Sequence, residues 1–320
     1  METLNAAIKH QTLLREIEDA KLAINDRRPR LSPKEIADIV VGSEVFRQFK
    51  KVSCSQPNPL SLKFSKNIVE RSVALACVLL SFSTRIFLRN TKKLPMDKHN
   101  NHYTALQSAP GGGKSAFLDL IAMIPFMNSA LLGELFELVV KLLAHTHFVQ
   151  KERLDAIQEL LAIIPNALAL TVTYNNGFDV DPSVEKQISL DEYFGWRIIC
   201  SYFLQASARR DDPSHPSNFF SAFITELKDK TKMTASLAIQ VILEHQKTLG
   251  PNGGGKTHII LCVDEVLKSP SPTVLMSYIG SILTNMSNVF VVVSTLDKYF
   301  EKEGRNLAIS VLRSASDRHI

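Results

Sequence analysis

A glycine-rich loop between two apolar segments is the feature that most constrains how this chain can fold. The extended run 103–107 leads into the loop, residues 108–115 read Ser-Ala-Pro-Gly-Gly-Gly-Lys-Ser, and an apolar helix is predicted over 116–124. Glycines let backbone N–H groups curve around an anion. A helix that starts behind the loop adds its unpaired N–H groups and the positive end of its dipole. The order strand, loop and helix therefore predicts a phosphate-binding loop.

The loop departs from the Walker A pattern at its first position, where Ser108 replaces glycine. The last glycine, Lys114 and Ser115 are present, and in this pattern they contact phosphate and metal most directly. Lys114 would reach the β- and γ-phosphates and the Ser115 hydroxyl would bind Mg²⁺, so ATP and Mg²⁺ are the expected ligands. The alternative is a glycine turn that happens to precede a helix. The residues expected to bind the nucleotide are Ser108, Ala109, Pro110, Gly111, Gly112, Gly113, Lys114, Ser115 and Ala116.

An acidic pair follows a second apolar strand, which is predicted over 258–263. This arrangement is typical of a Walker B motif, in which Asp264 would hold Mg²⁺ and Glu265 would polarise the attacking water. The alternative is an ordinary strand end with solvated acids. The segment just before this strand contains Gly-Gly-Gly-Lys-Thr at 253–257, a second textual match to a phosphate loop. Because a strand and not a helix follows it, we predict a plain turn there.

A third buried strand, predicted over 289–293, ends in Ser294 and Thr295. A strand and polar residue in this order after the acidic pair are typical of additional-strand P-loop ATPases, in which that residue lies between the two Walker motifs and senses the γ-phosphate. Ser294 is predicted to be catalytic together with Lys114 and Glu265, although Thr295 or a simple polar strand exit fits the pattern equally. The tail holds three arginines that fit an arginine finger or a solvated surface: Arg305, Arg313 and Arg318.

Four segments together resemble the P-loop ATPase module of the Crinkler and retrotransposon-hot-spot-like proteins. They are Ala-Pro-Gly-Gly-Gly-Lys-Ser, Thr-Val-Thr-Tyr-Asn, Cys-Val-Asp-Glu-Val and Val-Val-Ser-Thr-Leu-Asp, all within 103–297. The resemblance implies an ATPase related to signalling ATPases, often part of a secreted effector that acts in a host nucleus. The chain departs from that family at Ser108, in lacking a ubiquitin-like header, and in ending soon after the third strand without a lid or nuclease domain. The expected core is therefore one truncated at its C-terminus.

The predicted architecture is α/β: a P-loop NTPase with a mostly parallel central sheet flanked by helices, preceded by an all-helical region. A polar linker at 91–101 sets the expected boundary between a helical basic region at 1–95 and an ATPase core at 96–320. Residues 1–95 hold 17 Lys and Arg against 9 Asp and Glu. This excess favours nucleic acid or an acidic protein as a partner, with a solvated helical surface as the alternative. Assembly into an oligomer is left open.

Local patterns place the remaining elements. Helices are predicted over 3–24, 65–88, 131–144, 151–163, 218–228, 233–248 and 273–286, and a strand over 167–174. Capping boxes are predicted at Ser32–Glu35 and Ser189–Glu192. The four cysteines form no Cys-x-x-Cys pair, no signal-peptide core is seen and the apolar run 73–80 is too short to span a bilayer, so we expect an intracellular protein without a membrane segment.

Three functions fit these patterns. An ATP-hydrolysing switch or motor is preferred, and a nucleotide-binding scaffold with negligible hydrolysis is the alternative. A nucleotide or small-molecule kinase ranks third, because a water-activating Glu265 is a hazard to a kinase. The pairs His99 and His102, and His145 and His147, lack neighbouring cysteines or carboxylates and are read as solvated histidines and not metal ligands.

Overall fold

The computed structural model describes residues 28–52, 71–92, 103–107, 114–145, 151–174, 187–204, 217–249, 255–295 and 309–313, and the single positions 13 and 17. The strands are β1 (Tyr103–Gln107), β2 (Ala167–Thr173), β3 (His258–Asp264), β4 (Val289–Thr295) and β5 (Ile309–Arg313). The helices are α1 (Pro33–Gly42), α2 (Glu44–Val52), α3 (Ser72–Lys92), α4 (Lys114–Met123), α5 (Ser129–Ala144), α6 (Lys151–Ile163), α7 (Leu190–Phe203), α8 (Ser217–Leu227), α9 (Ala235–Thr248) and α10 (Pro272–Asn285). Of the helix predicted over 3–24, only positions 13 and 17 are described, and both are helical. The linker predicted at 91–101 overlaps the end of α3 at residues 91 and 92, and residues 93–101 lie outside the described residues.

The strands form one sheet in the order β2-β3-β4-β1-β5. The pairs β3–β4, β4–β1 and β1–β5 are parallel. β4 therefore lies between β1, which precedes the glycine loop, and β3, which ends in the acidic pair. The expectation of an α/β fold with a mostly parallel sheet is confirmed at this level, and the sheet is small beside the helical content.

The described chain divides into two compact units. The first comprises 1–58, 172–255 and 266–279, and the second comprises 59–171, 256–265 and 280–320. Among the described elements, the first unit contains the helices α1, α2, α7, α8 and α9. The second contains most of the sheet together with α3, α4, α5 and α6. A single boundary at residue 95 does not describe this division, because α3 lies in the second unit and the segment between β2 and β3 lies in the first.

The reason lies in the core of the second unit. Buried residues of α3, among them Leu75, Leu79 and Phe82, belong to the same apolar cluster as residues of α4, α5, α6, β3 and β4. The ring of Phe82 stacks on Phe290 of β4, with ring centroids 4.7 Å apart. Removing this apolar surface from water stabilises α3 against the sheet by about 25 cal/mol per Å². Charge counts along the chain carry no information about such packing.

Helix α3 also forms hydrogen bonds to the C-terminal end of α10. The buried Arg85 guanidinium donates to Leu283 O at 2.8 Å and to Met286 O at 2.9 Å. These carbonyls belong to the last turn of α10 and its exit, where no further helical N–H groups are available. Burial, with a smaller effect of the Arg89 charge, lowers the pKa of Arg85 to about 10.

Most of the segment Ser72–Thr91 is apolar, and it is the described helix that is long and apolar enough to cross a membrane by length and composition. Half of it is buried against the rest of the chain. A bent pair, Phe117–Phe126 with Ser129–Ala144, passes the same test only when both helices are counted as one span. These helices are core elements of the second unit, which is the ordinary origin of such a signal.

Two predicted caps behave differently. At α1 the box is complete: the Ser32 hydroxyl accepts from the Glu35 N–H, and the Glu35 carboxylate accepts from the Ser32 N–H. At α7 the Ser189 hydroxyl accepts from the Glu192 N–H at 3.2 Å. The Glu192 carboxylate, however, is bound by the guanidinium of Arg28. The Glu192 side chain, which the local pattern assigned to the helix cap, thus forms an ion pair with a residue distant in sequence.

Gly195, inside α7, gives the first testable prediction. A Cβ at this position would lie 2.7 Å from Met233 O and 2.8 Å from Thr234 C, both backbone atoms. Helix propensity favours alanine over glycine by about 1 kcal/mol, but overpacking typically costs about 1–3 kcal/mol. Because the close atoms belong to the backbone, we expect the upper part of this cost, and after the gain in helix propensity Gly195→Ala should lower the free energy of unfolding in urea by about 1–2 kcal/mol.

The matched control is Gly133 in α5, where an added Cβ meets nothing within 4 Å. Gly133→Ala should leave stability unchanged or raise it by up to about 1 kcal/mol. Equal effects of the two substitutions would show that close packing at Gly195 is not the cause.

Candidate functional site

The carboxyl ends of three neighbouring strands meet at one edge of the sheet. In the β3–β4 pair Val263 is opposite Val293, so the next residues along the two strands are Asp264 and Ser294. In the β1–β4 pair Ser294 is opposite Leu106, one residue before the end of β1. Ligands of open parallel sheets bind at this edge. The register alone therefore brings together the acidic pair, the polar end of β4 and the end of β1, the strand that precedes the glycine loop in the sequence.

Ser115, the second residue of helix α4, contacts the acidic pair. Cys262 is buried on β3, and its Sγ lies 4.0 Å from Leu118 O of α4. Residues two apart in a strand share a face, so Asp264 points to the same side as Cys262. The Ser115 hydroxyl then donates to Asp264 Oδ2 at 2.8 Å across 149 positions of sequence. The two residues predicted to bind the metal are therefore in direct contact.

Ser294 joins the same cluster from β4. Its hydroxyl donates to Asp264 Oδ1 and accepts from the backbone N–H of Glu265 at 3.1 Å. Ser294 is fully buried and Asp264 is 3% exposed. Both oxygens of the Asp264 carboxylate are thus hydrogen-bonded, one from α4 and one from β4. The sequence left Ser294 and Thr295 as alternatives, and the contact to the acidic pair is made by Ser294.

Glu265 has an unusual backbone. Its φ of 54° lies in the left-handed region, which residues other than glycine rarely adopt. The residue is 7% exposed. Left-handed residues of this kind persist where the surrounding structure holds them, and they concentrate at functional sites.

Asp119 is a carboxylate near this site that the motifs did not reveal. It lies four residues after Ser115 in α4, so the two residues share a face of the helix. Desolvation raises the pKa of Asp119, and the negative charge of Asp264 raises it further. Burial, Asp119 and Asp264 together raise the pKa of Cys262 on the strand beneath. The sequence offered one signal for Asp119, its spacing of four residues from Ser115. The Walker A pattern does not include a carboxylate at that position.

The donor set suits Mg²⁺. The ion prefers oxygen ligands and in nucleotide sites is held by one or two protein oxygens together with phosphates and water. A hydroxyl and a carboxylate that already touch, Ser115 and Asp264, match this requirement. Among the described residues no cluster of three or more His, Cys, Asp or Glu side chains forms a dedicated metal cage.

The other predicted residues have the following positions. Lys114 is the first residue of α4, and Ala116 is its third residue. Neither side chain is described. Thr295 and Arg313 lie in β4 and β5, also without described side chains. The residues named in the sequence analysis that fall outside the described residues are Ser108, Ala109, Pro110, Gly111, Gly112, Gly113, Arg305 and Arg318, with His99, His102 and His147.

The rival glycine segment leads into a strand. Residues 255–257 have no regular structure and β3 begins at His258. The Lys256 ammonium donates to Pro165 O at 2.8 Å. This lysine is bound to a backbone carbonyl of the helical turn that precedes β2, and it does not lie at a helix N-terminus. The prediction that a strand follows this segment is confirmed.

Several basic residues of the N-terminal third have partners within the protein. Arg28 pairs with Glu192, and Arg85 caps α10. Arg89 donates to Ser287 O at 2.9 Å and to Glu159 at 3.2 Å. Part of the positive charge of residues 1–95 therefore serves internal structure. His145, the residue after the end of α5, donates from Nδ1 to Lys141 O, 2.7 Å away.

Comparison with known proteins yields no matching family model, no matching curated protein and no matching solved structure.

Proposed function

We propose that the chain is a P-loop nucleoside triphosphatase of the additional-strand class, which binds ATP with Mg²⁺ and hydrolyses it. The single observation that carries the proposal is the 2.8 Å contact of Ser115 with Asp264, which joins the two Walker-like motifs. The strand order supports it, because β4 lies between the strand before the loop and the strand before the acidic pair.

In this proposal each residue has a separate task. The N–H groups of residues 111–114 and of the start of α4 would donate hydrogen bonds to phosphate oxygens, and Lys114 would neutralise the charge of the phosphates. Ser115 and Asp264 would hold Mg²⁺, which spreads phosphate charge when bound. Glu265 accepts a proton from the attacking water. The chemistry is hydrolysis in preference to transfer, since a carboxylate that activates water would waste the phosphoryl group of a kinase.

The resemblance to Crinkler and retrotransposon-hot-spot-like ATPases is part of this proposal. It rests on four short segments, of which the acidic pair and the serine of β4 are in mutual contact. We propose an intracellular, nucleotide-driven conformational switch, with nuclear location implied by the resemblance alone. A nucleic acid or acidic protein would be the partner of the basic N-terminal region, and stimulation of turnover by DNA would identify the first of these.

The test measures binding of ATP with and without Mg²⁺ for Ser115→Ala, Asp264→Asn and the double variant. Each single variant removes or weakens one of the two oxygen ligands proposed for the ion, so it should weaken Mg²⁺-dependent binding roughly 10–100-fold. Because the two residues share one ion, the double variant should be little worse than the weaker single variant.

The control is Ser129→Ala, which removes an exposed serine at the start of α5. It should leave binding unchanged. Mg²⁺-dependent binding that survives both site variants would exclude the proposed site. Tight binding without turnover by the wild type would instead favour a nucleotide-binding scaffold with negligible hydrolysis.

A further inference from the structure

We propose that Ser294 is a positioning residue for the acidic pair and does not contact the γ-phosphate. This inference rests on the proposed function and departs from the sensing role that the sequence pattern suggested. The Ser294 hydroxyl bridges Asp264 and Glu265: it donates to the Asp264 carboxylate and accepts from the Glu265 N–H. It thereby links the metal-binding carboxylate to the residue that would activate water.

The donor inventory of a serine carries the first step. A hydroxyl has one proton to donate and two lone pairs that accept. The proton of Ser294 is directed to Asp264 Oδ1, and one lone pair receives the Glu265 N–H. Phosphate oxygens accept hydrogen bonds, so a contact to the γ-phosphate would require Ser294 to abandon Asp264. Such an exchange would leave a buried carboxylate oxygen without its donor, which is costly.

The backbone of Glu265 carries the second step. A φ of 54° is strained for a glutamate, and the Glu265 N–H is held by Ser294 Oγ at 3.1 Å. Because φ sets where Cβ points, this bond fixes the origin of the glutamate side chain. Ser294 therefore acts on catalysis through the geometry of Glu265.

The same atoms connect the helix after the loop with the acid. Ser115 donates to one oxygen of Asp264, Ser294 donates to the other, and Glu265 donates to Ser294. A ligand that binds Asp264 on the side of Ser115 would therefore change the hydrogen bonds that hold the Glu265 backbone. The relay consists of three hydrogen bonds between α4, β3 and β4, all within the second unit.

The first measurement needs no nucleotide. Amide hydrogen exchange at Glu265, followed by NMR, should become at least about tenfold faster in Ser294→Ala, because the N–H loses its acceptor. Ser294→Thr keeps the hydroxyl and should retain the protection. Ser83→Ala is the control, since it removes another buried serine hydroxyl, bound to Leu80 O of its own helix at 2.9 Å. Unchanged exchange in Ser294→Ala would overturn the proposal.

The second measurement separates positioning from phosphate sensing. In Ser294→Ala we expect kcat to fall about tenfold or more, while the ratio of the ATP and ADP dissociation constants in Mg²⁺ stays within about twofold. Loss of a γ-phosphate contact would instead reduce the preference for ATP by about tenfold, and that result would overturn the proposal. Ser294→Thr should restore kcat. A wild type that binds neither nucleotide would refute the proposed function, whereas the exchange at Glu265 would still decide the role of Ser294.

Discussion

Glu265→Gln is expected to lower ATP turnover by about 10²–10⁴-fold while leaving the dissociation constant of MgATP unchanged or smaller. The amide has nearly the shape of the carboxylate, so the buried residue keeps its packing, but it cannot take a proton from water. The rate of phosphate formation from ATP, measured under single-turnover conditions in acid-quenched samples, reports the chemical step directly. Binding measured by calorimetry or a fluorescent nucleotide analogue shows whether the substrate is still held.

Two comparators make this result interpretable. Lys114→Ala should lose nucleotide binding together with turnover, because it removes the charge that neutralises the phosphates. Glu159→Gln changes a surface glutamate of α6 that bonds Arg89 and Asn90, and it should retain activity. Wild-type turnover in both Glu265→Gln and Lys114→Ala would contradict hydrolysis at this site and point to a contaminating ATPase.

Arg28→Ala is expected to cause the largest loss of stability, about 3–5 kcal/mol. Both guanidinium Nη atoms of Arg28 bind the Glu192 carboxylate, which is only 2% exposed, and one of them also donates to Lys228 O at 2.6 Å. Removing the arginine takes a positive charge and its hydrogen bonds away from a buried carboxylate, and the cost of keeping that carboxylate out of water accounts for most of the expected effect. Chemical denaturation followed by circular dichroism measures the loss.

Two further variants test the cause. Adding Glu192→Gln to Arg28→Ala should recover part of the stability, because a neutral amide is less costly to bury than a carboxylate. Arg47→Ala removes a surface pair with Glu44 whose side chains are 63% and 53% exposed, and it should change stability by less than about 1 kcal/mol. An Arg28→Ala loss no greater than that of Arg47→Ala would show that Arg28 is not the partner that stabilises buried Glu192.

Much of the site could be predicted because its signals are local. The strand over Tyr103–Gln107, the helix from Lys114 and the strand that ends at Asp264 follow from apolar runs bounded by glycines and acids. The choice between the two glycine segments also needed only their flanks. A helix after the first and a strand after the second are properties of short stretches of chain, and both were predicted correctly.

Asp119 was missed because its significance depends on distance and not on spacing to a motif. Its carboxyl approaches Asp264 through the packing of α4 on β3, 145 positions away in the chain. The prediction that the Glu192 carboxylate completes a capping box with Ser189 differs from the structure for a related reason. A residue can satisfy a local pattern and still be taken by a stronger partner, here Arg28, that lies far away in sequence.

The sequence by itself determined most helices and strands, the order of the glycine loop and the acidic pair along the chain, and the residue types that could bind phosphate and Mg²⁺. The tertiary structure decided that β4 lies between β1 and β3, that Ser294 bonds both members of the acidic pair, and that α3 packs with the sheet. The physical reason is the range of the forces involved. Periodicity, capping and turn preference act over a few residues, whereas strand order, burial and hydrogen bonds across the sheet depend on which distant segments exclude water together.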